Sequence, residues 1–337
     1  MDKVANLEAN ERRELFSETA ARMNLLPALV EKDFWVCWTL KHLFSIPALD
    51  SHLLFKGGTT LSKIFGVIER FSEDIDLAVD WNKLGFVGDR SPLAEMSKSK
   101  RTKLLDEMLA VCQEYIAGKI IPVLHDRFVE ILGETENWNL TVDPGDGHVV
   151  NLSYPPSAGA VQYVRLEVRL ELGTHAELIP NDRYVIRPYA ADHFPDIFEN
   201  ADAPVQAIKA ECTFWEKATI LHQEYFRTGD REAPSRYSRH YYDVFMMAQR
   251  KEIRDAALGQ PDLLTHVVEH KKRFYPRAWA RYDLATPAGL QLLPSEDWMP
   301  FLRRDYASMN VMLFGDAPSF DEILVGLQEL ETDIRKM

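Results

Sequence analysis

The sequence predicts an α+β fold, a mixed sheet flanked by helices and followed by a C-terminal α-helical lobe. Three observations predict it. A short apolar run, Leu53-Leu54-Phe55, meets Gly57-Gly58, and Leu61, Ile64, Phe65 and Ile68 then fall at i, i+3, i+4 and i+7, which reads as strand, tight turn and amphipathic helix. Residues 149–186 are β-rich. From residue 205 onward helical periodicity dominates.

Two helices open the chain. The second runs from Leu29 to Phe44, carries Trp35, Trp38 and Leu43 among its apolar residues, and is ended by Ser45-Ile46-Pro47. After the Gly-Gly unit the next strand is Ile75 to Val79, and residues 95–132 are helical in character. Strands follow near Val149 to Leu152, Val161 to Leu172 and Tyr184 to Ile186. Pro188, Pro195 and Pro204 punctuate what reads as a connection between lobes. The helices beyond it are Thr213 to Phe226, Ser235 to Arg250, Asp262 to Phe274, one beginning near Trp298, and Ser319 to Ile334. The expected division is a lobe over residues 1–200, holding the N-terminal helices and the sheet, and a mostly helical lobe over 201–337 completing the cleft.

Composition narrows the function. Among 337 residues, 39 Lys+Arg against 52 Asp+Glu leave a net charge of −13, so nucleic acid is repelled in bulk and any RNA contact must rest on local basic patches or on divalent metal. The amino terminus has no apolar core of a signal peptide, and no run of about 18 apolar residues occurs, so the expectation is a cytoplasmic protein without membrane contact. Cys37, Cys112 and Cys212 are odd in number and far apart, which argues for reduced core thiols rather than disulfides or a zinc site.

The most informative stretch is Lys56-Gly57-Gly58-Thr59-Thr60-Leu61-Ser62-Lys63, followed by Arg70-Phe71-Ser72-Glu73-Asp74-Ile75-Asp76-Leu77. Alternation along a strand puts Asp74 and Asp76 on one surface while Ile75, Leu77 and Val79 face a core. Two such carboxylates repel unless a cation sits between them, and Mg²⁺ combines one or two carboxylates with substrate phosphates. Gly57 and Gly58 let backbone N–H groups approach an anion at a helix N-terminus, and Thr59, Thr60 or Lys63 offer further donors. Each half alone is an ordinary turn or strand edge. Joined by one helix, they form a unit that holds nucleotide against a metal pair. A third carboxylate is expected from Arg165-Leu166-Glu167-Val168-Arg169-Leu170-Glu171-Leu172, where Glu167 and Glu171 share a face with Arg165 and Arg169 and Glu171 lies at the strand end beside Gly173.

In the helical lobe Arg236, Arg239 and Asp243 recur at i, i+3 and i+7, opposite Tyr237, Tyr241, Val244, Phe245 and Ala248, so the helix is expected to dock by its aromatic side and present charge outward. Lys217 lies beside the stripe Phe214, Ala218, Leu221 and Tyr225 and reads, on pattern alone, as a solvated lysine. Basic groups at Lys98, Lys100, Arg101 and Lys103, and at Lys271, Lys272, Arg273 and Arg277 among Phe274, Tyr275 and Trp279, are either polyanion contacts or solvated faces.

Taken together these motifs resemble the AbiEii/AbiGii toxin family of nucleotidyltransferases, related in fold to the polymerase-β-like superfamily. The resemblance covers most of the chain. It rests on Val30-Glu31-Lys32-Asp33, the Gly-Gly to Asp-x-Asp core, Val168 to Gly173, Thr213-Phe214-Trp215-Glu216-Lys217 with Leu221-His222, Arg236-Tyr237-Ser238-Arg239 with Tyr242-Asp243, and Asp305-Tyr306-Ala307-Ser308-Met309. What it implies is Mg²⁺-dependent transfer of a nucleoside monophosphate from an NTP to an acceptor, which in studied relatives is the tRNA 3′ end. It also implies a toxin of a toxin–antitoxin or abortive-infection pair, with a cognate antitoxin encoded nearby. Gly57 and Gly58 match the phosphate-holding turn, Asp74 and Asp76 the metal ligands, and Lys217 and Asp243 the lysine and aspartate motifs of the active cleft. One departure stands out: the family commonly has a small residue and then arginine after Glu171-Leu172-Gly173, where this chain reads Thr174-His175-Ala176. The competing expectations are a protein hydroxyl as acceptor, and a degenerate module that only grips nucleotide or RNA.

Overall fold

The computed structural model describes residues 1–72, 74–159, 165–227 and 235–337. Glu73 and the expected strand start at 161–164 lie outside the described residues. The chain forms two compact units, one of residues 1–64 and 72–208, the other of 65–71 and 209–337.

The first unit contains α1 (Asp2–Ala5), α2 (Ala9–Met23), α3 (Pro27–Ser45), α4 (Pro47–Asp50), β1 (Leu53–Lys56), α5 (Gly57–Lys63), β2 (Asp74–Val79), α6 (Lys98–Tyr115), α7 (Ile121–Leu132), β3 (Asn139–Asp143), β4 (Asp146–Ser153), β5 (Glu167–Gly173), β6 (Asn181–Ile186), α8 (Tyr189–His193) and β7 (Ala203–Ile208). The seven strands make one mixed sheet in the order β3-β4-β5-β2-β1-β7-β6, with β2/β5 and β1/β7 parallel and the other pairs antiparallel. β7 therefore belongs inside the sheet, although its proline-flanked sequence reads as linker. β3 also escapes the sequence reading, because Asn139 and Asp143 are poor strand formers and only the pairing with β4 secures them.

α3 is the core of this unit. Trp35, Trp38 and Phe34 are fully buried, and Trp35 stacks on Tyr154 with centroids 5.4 Å apart. Its three consecutive charged residues are buried too, and each is satisfied. Glu31 accepts from Ser157 N and Oγ at 2.7 and 2.6 Å and from Ala158 N at 2.8 Å, Lys32 Nζ donates to the Arg165 carbonyl at 3.1 Å, and Asp33 accepts from Lys63 Nζ at 2.6 Å and Tyr189 N at 2.7 Å. Buried charge is tolerated only on such terms. The expected single helical stretch 95–132 is α6 and α7 joined by a π-helical turn at Ile116–Ile120. Pro122 has no N–H to give residue 118, and the widened turn absorbs the loss.

The second unit contains α9 (Ala210–Tyr225), α10 (Arg239–Gln249), α11 (Lys251–Leu258), α12 (Pro261–Phe274), α13 (Met299–Ser308) and α14 (Phe320–Ile334). α9 packs against α10, α11 and α12, burying Phe214, Trp215, Ala218 and Leu221. Residues 65–71 fold into this unit as a strap. Arg70 bridges Leu313 in antiparallel fashion, Phe71 N donates to the Met312 carbonyl at 2.8 Å, Phe314 N to the Glu69 carbonyl at 2.7 Å, and the Tyr242 hydroxyl receives Glu69 N at 3.0 Å. The i, i+3, i+4, i+7 pattern of 61–68 overstates α5 for this reason: the helix stops at Lys63, and Phe65 and Ile68 belong to the second unit. The expected helix from Ser235 begins instead at Arg239. Arg236 sits in the left-handed region (φ 61°), and Asp305 ties the turn by accepting from Arg236 N, Ser238 N and Ser238 Oγ at 2.6–2.8 Å.

Candidate active site

On the sheet, β2 alternates as the sequence requires: Ile75, Leu77 and Val79 are buried, and Asp74 and Asp76 are half-buried on the other face. The register supplies the third carboxylate. Asp76 pairs with Glu171 and Asp74 with Arg169 on the parallel neighbour β5, and Asp76 pairs with Lys56 on β1, so all five share one face. Glu167 lies on that face further down the strand, paired with Ser153 rather than with β2. Gly57 closes the arrangement. It has φ 80°, and a Cβ placed there would lie 1.9 Å from Asp76 Oδ2, so only glycine lets the turn pass against this carboxylate. The two halves of the motif, read separately from the sequence, are thus in contact.

The donors flanking the turn are used differently from the expectation. Thr59 Oγ1 donates to the Asp74 carbonyl at 2.5 Å and Thr60 Oγ1 to the Gly57 carbonyl at 2.8 Å, so both hydroxyl protons stitch α5 to the sheet and to its own first turn. Lys63 is a correction as a phosphate donor. Its ammonium is buried 2.6 Å from Asp33 and 3.8 Å above the Tyr189 ring, and although burial disfavours the charge, Asp33 raises its pKa above the ordinary lysine value. Among the described residues no group of three or more His, Cys, Asp or Glu side chains is arranged to hold a metal.

The second unit holds a different cluster. Asp243 is fully buried and takes a bidentate pair from Arg70, Nε to Oδ1 at 2.7 Å and an NH to Oδ2 at 2.8 Å, while Lys217 Nζ approaches Oδ2 at 2.8 Å. Burial alone would raise the carboxyl pKa, but the charges and hydrogen bonds of Arg70 and Lys217 hold it well below the usual range. Burial, and then the charges of Lys217 and Arg239, keep the neighbouring His240 neutral. The outward-facing Asp243 expected from helical spacing is therefore corrected: it points inward, with Tyr241, Tyr242 and Val244 also buried on α10. Lys217 is buried as well, and not solvated. Arg236 and Arg239 are exposed.

A family model described as "Nucleotidyl transferase AbiEii toxin, Type IV TA system" matches residues 38–325, most of the chain. The chain belongs to the AbiEii nucleotidyltransferase toxin family. It is accordingly a nucleotidyltransferase, and the family implies an NTP substrate and a cognate antitoxin. No curated protein matches the sequence. Among solved structures it is similar to MenT4, a nucleotidyltransferase toxin from Mycobacterium tuberculosis H37Rv, at 13% identity and TM-score 0.49, over 96% of this chain and 90% of that one. As an AbiEii chain it has no described helix long and apolar enough to cross a membrane. The residue that sequence reasoning missed is Arg70, the bidentate partner of Asp243. Its signal was only its place four residues before Asp74 in the Arg-Phe-Ser core.

Proposed function

We propose that this AbiEii transferase moves a nucleoside monophosphate from an NTP to the 3′ hydroxyl of a tRNA, with Mg²⁺ held by Asp74 and Asp76. The observation that carries the reading is the register of β2 and β5, which sets Asp76 between Gly57 and Glu171 on one half-exposed face. Two aspartates with no complete protein cage among the described residues fit a cation that fills its shell from the triphosphate. When bound, Mg²⁺ supplies positive charge to the phosphates and stabilises the charge that develops on them. The backbone of Gly57 and Gly58 lets the triphosphate approach closely. The acceptor oxygen bonds to the α-phosphorus, the α–β anhydride bond breaks, pyrophosphate leaves, and Glu171 accepts the hydroxyl proton. The exposed Arg236 and Arg239 give an acidic protein a local hold on RNA, and Asp243 holds Lys217 in place within the second unit.

The test is to incubate the enzyme with Mg²⁺, each labelled NTP in turn, total tRNA and a cell protein extract. Label at RNA 3′ ends is expected. Label found only in protein bands and persisting after nuclease would move the acceptor to a protein hydroxyl; no metal-dependent release of pyrophosphate under any mixture would remove the reading altogether.

A further inference from the structure

Two cations, Lys56 and Arg169, share the carboxylate face of the sheet, and Arg169 is the one tied to Glu171. Arg169 occupies the β5 position paired with Asp74, its Nε donates to Glu171 Oε1 at 2.9 Å, and its NH1 lies 3.8 Å from Asp143 Oδ2. Asp143 is itself fixed, since Asn151 Nδ2 donates to Oδ2 at 3.1 Å and Gly145 N to Oδ1 at 2.9 Å. The side chain is about three-quarters buried, at 26% exposure, and the guanidinium pKa is raised, first by the hydrogen bond to Glu171 and then by the charges of Glu171, Asp74 and Asp143. A strand side chain of this length, held at both ends by anions, is a built part of the face.

We propose that Arg169 is an internal counter-ion of this face, holding Glu171 in the nucleotide-free enzyme so that a divalent cation binds firmly only together with a triphosphate. Among the described residues the carboxylates of this face form no closed group of three for a metal, yet gathered on one surface they repel one another and draw cations whether or not substrate is present. A guanidinium tethered among them offsets part of their charge and cannot diffuse away. A triphosphate restores the negative charge that Arg169 cancels and brings its own oxygens as ligands. Arg169 is thus a positioning residue for Glu171 and a brake on metal uptake, and the inference rests on the Asp74–Asp76 metal reading.

The probe is Mn²⁺ alone, titrated against the full-length nucleotide-free protein by calorimetry and by the loss of free-ion paramagnetic resonance signal. Arg169→Gln is expected to bind Mn²⁺ roughly tenfold tighter than wild type, the effect of one charge at partly screened short range. Arg169→Lys should restore affinity close to wild type, and adding Glu171→Gln to Arg169→Gln should remove most of the gain. Circular dichroism melts check that each variant folds. Mn²⁺ affinity in Arg169→Gln equal to or below wild type, or an equal gain in Arg169→Lys, overturns the counter-ion role. A separate control isolates the premise: Asp76→Asn placed in Arg169→Gln should abolish Mn²⁺ binding, and unchanged binding there would strike the metal reading itself.

Discussion

Asp76 lies half-buried on the open face of a sheet, with Gly57 pressed against it and Glu171 across from it, whereas Asp243 lies fully buried between Arg70 and Lys217. Both are aspartates of motifs that the family resemblance singles out, and both have cationic neighbours. The difference is exposure. Asp243 has both oxygens committed to protein cations in a dry environment, so its charge serves the fold and fixes Lys217. The carboxylates of the sheet face stay within reach of solvent on a rigid support, which is the state a ligand site requires. Burial, more than residue type or motif membership, separates the aspartate proposed to meet a ligand from the aspartate that organises its neighbours.

Substitutions sharpen that contrast. Asp76→Asn should lower NTP turnover by about a thousandfold or more, the scale of a lost metal contribution, while changing unfolding free energy by less than about 0.5 kcal/mol. Chemical denaturation beside a pyrophosphate-release assay reads both numbers, and a variant that turned over normally would erase the distinction from the sheet side. Asp243→Asn should do the reverse, removing about 3–5 kcal/mol of stability because Arg70 and Lys217 are left buried without their anion. A melting temperature unchanged from wild type would show that the cluster is not holding the second unit together.

Gly57→Ala comes next in size. The φ of 80° and the overlap with Asp76 together should cost about 2–4 kcal/mol and displace the carboxylate, so activity and stability fall in one variant. Acid provides a smaller test of the buried aspartate. Asp243 titrates below its unfolded value of about 3.9, so between those two values the unfolded chain binds more protons and stability rises with pH. The contribution is complete above about pH 4 and is lost as pH falls through the folded value; denaturation curves of Asp243→Asn should therefore be flatter than wild type below pH 4. The smallest effect belongs to Arg239→Ala, exposed on α10, which should weaken RNA labelling uniformly and reduce the salt slope by about one unit. An unaltered slope would take Arg239 out of the RNA contact.

Much of this was legible because strand alternation and the Gly-Gly to Asp-x-Asp spacing are local. β2 and the Glu171 strand announce their faces within six or seven residues, and the register then does what alternation implies. What was not legible depends on partners far away in sequence. Asp243 looks like a surface charge at i+7 from Arg236 until Arg70, from a segment 173 residues earlier, is placed against it. Lys63 looks like a phosphate donor at the end of a glycine-led helix until Asp33 on α3 takes its charge. β7 is hidden by Pro204, and it is a strand because β1 and β6 flank it. Composition did locate the cysteines correctly: Cys37, Cys112 and Cys212 are all buried free thiols.

The strap has a consequence for the order in which this toxin is made. Residues 65–71 leave the ribosome long before their antiparallel partners around Met312, Leu313 and Phe314. Until those residues emerge, the segment joining the glycine turn to the Asp-x-Asp strand lacks its backbone partners there, and closing so long a loop delays its anchoring further. A chain cut short before residue 309 would carry every acidic residue of the sheet face and still lack that fastening. The fold thereby ties completion of the strap to synthesis of the segment around Leu313, so the anchored form of residues 65–71 exists only once that distant segment has been made.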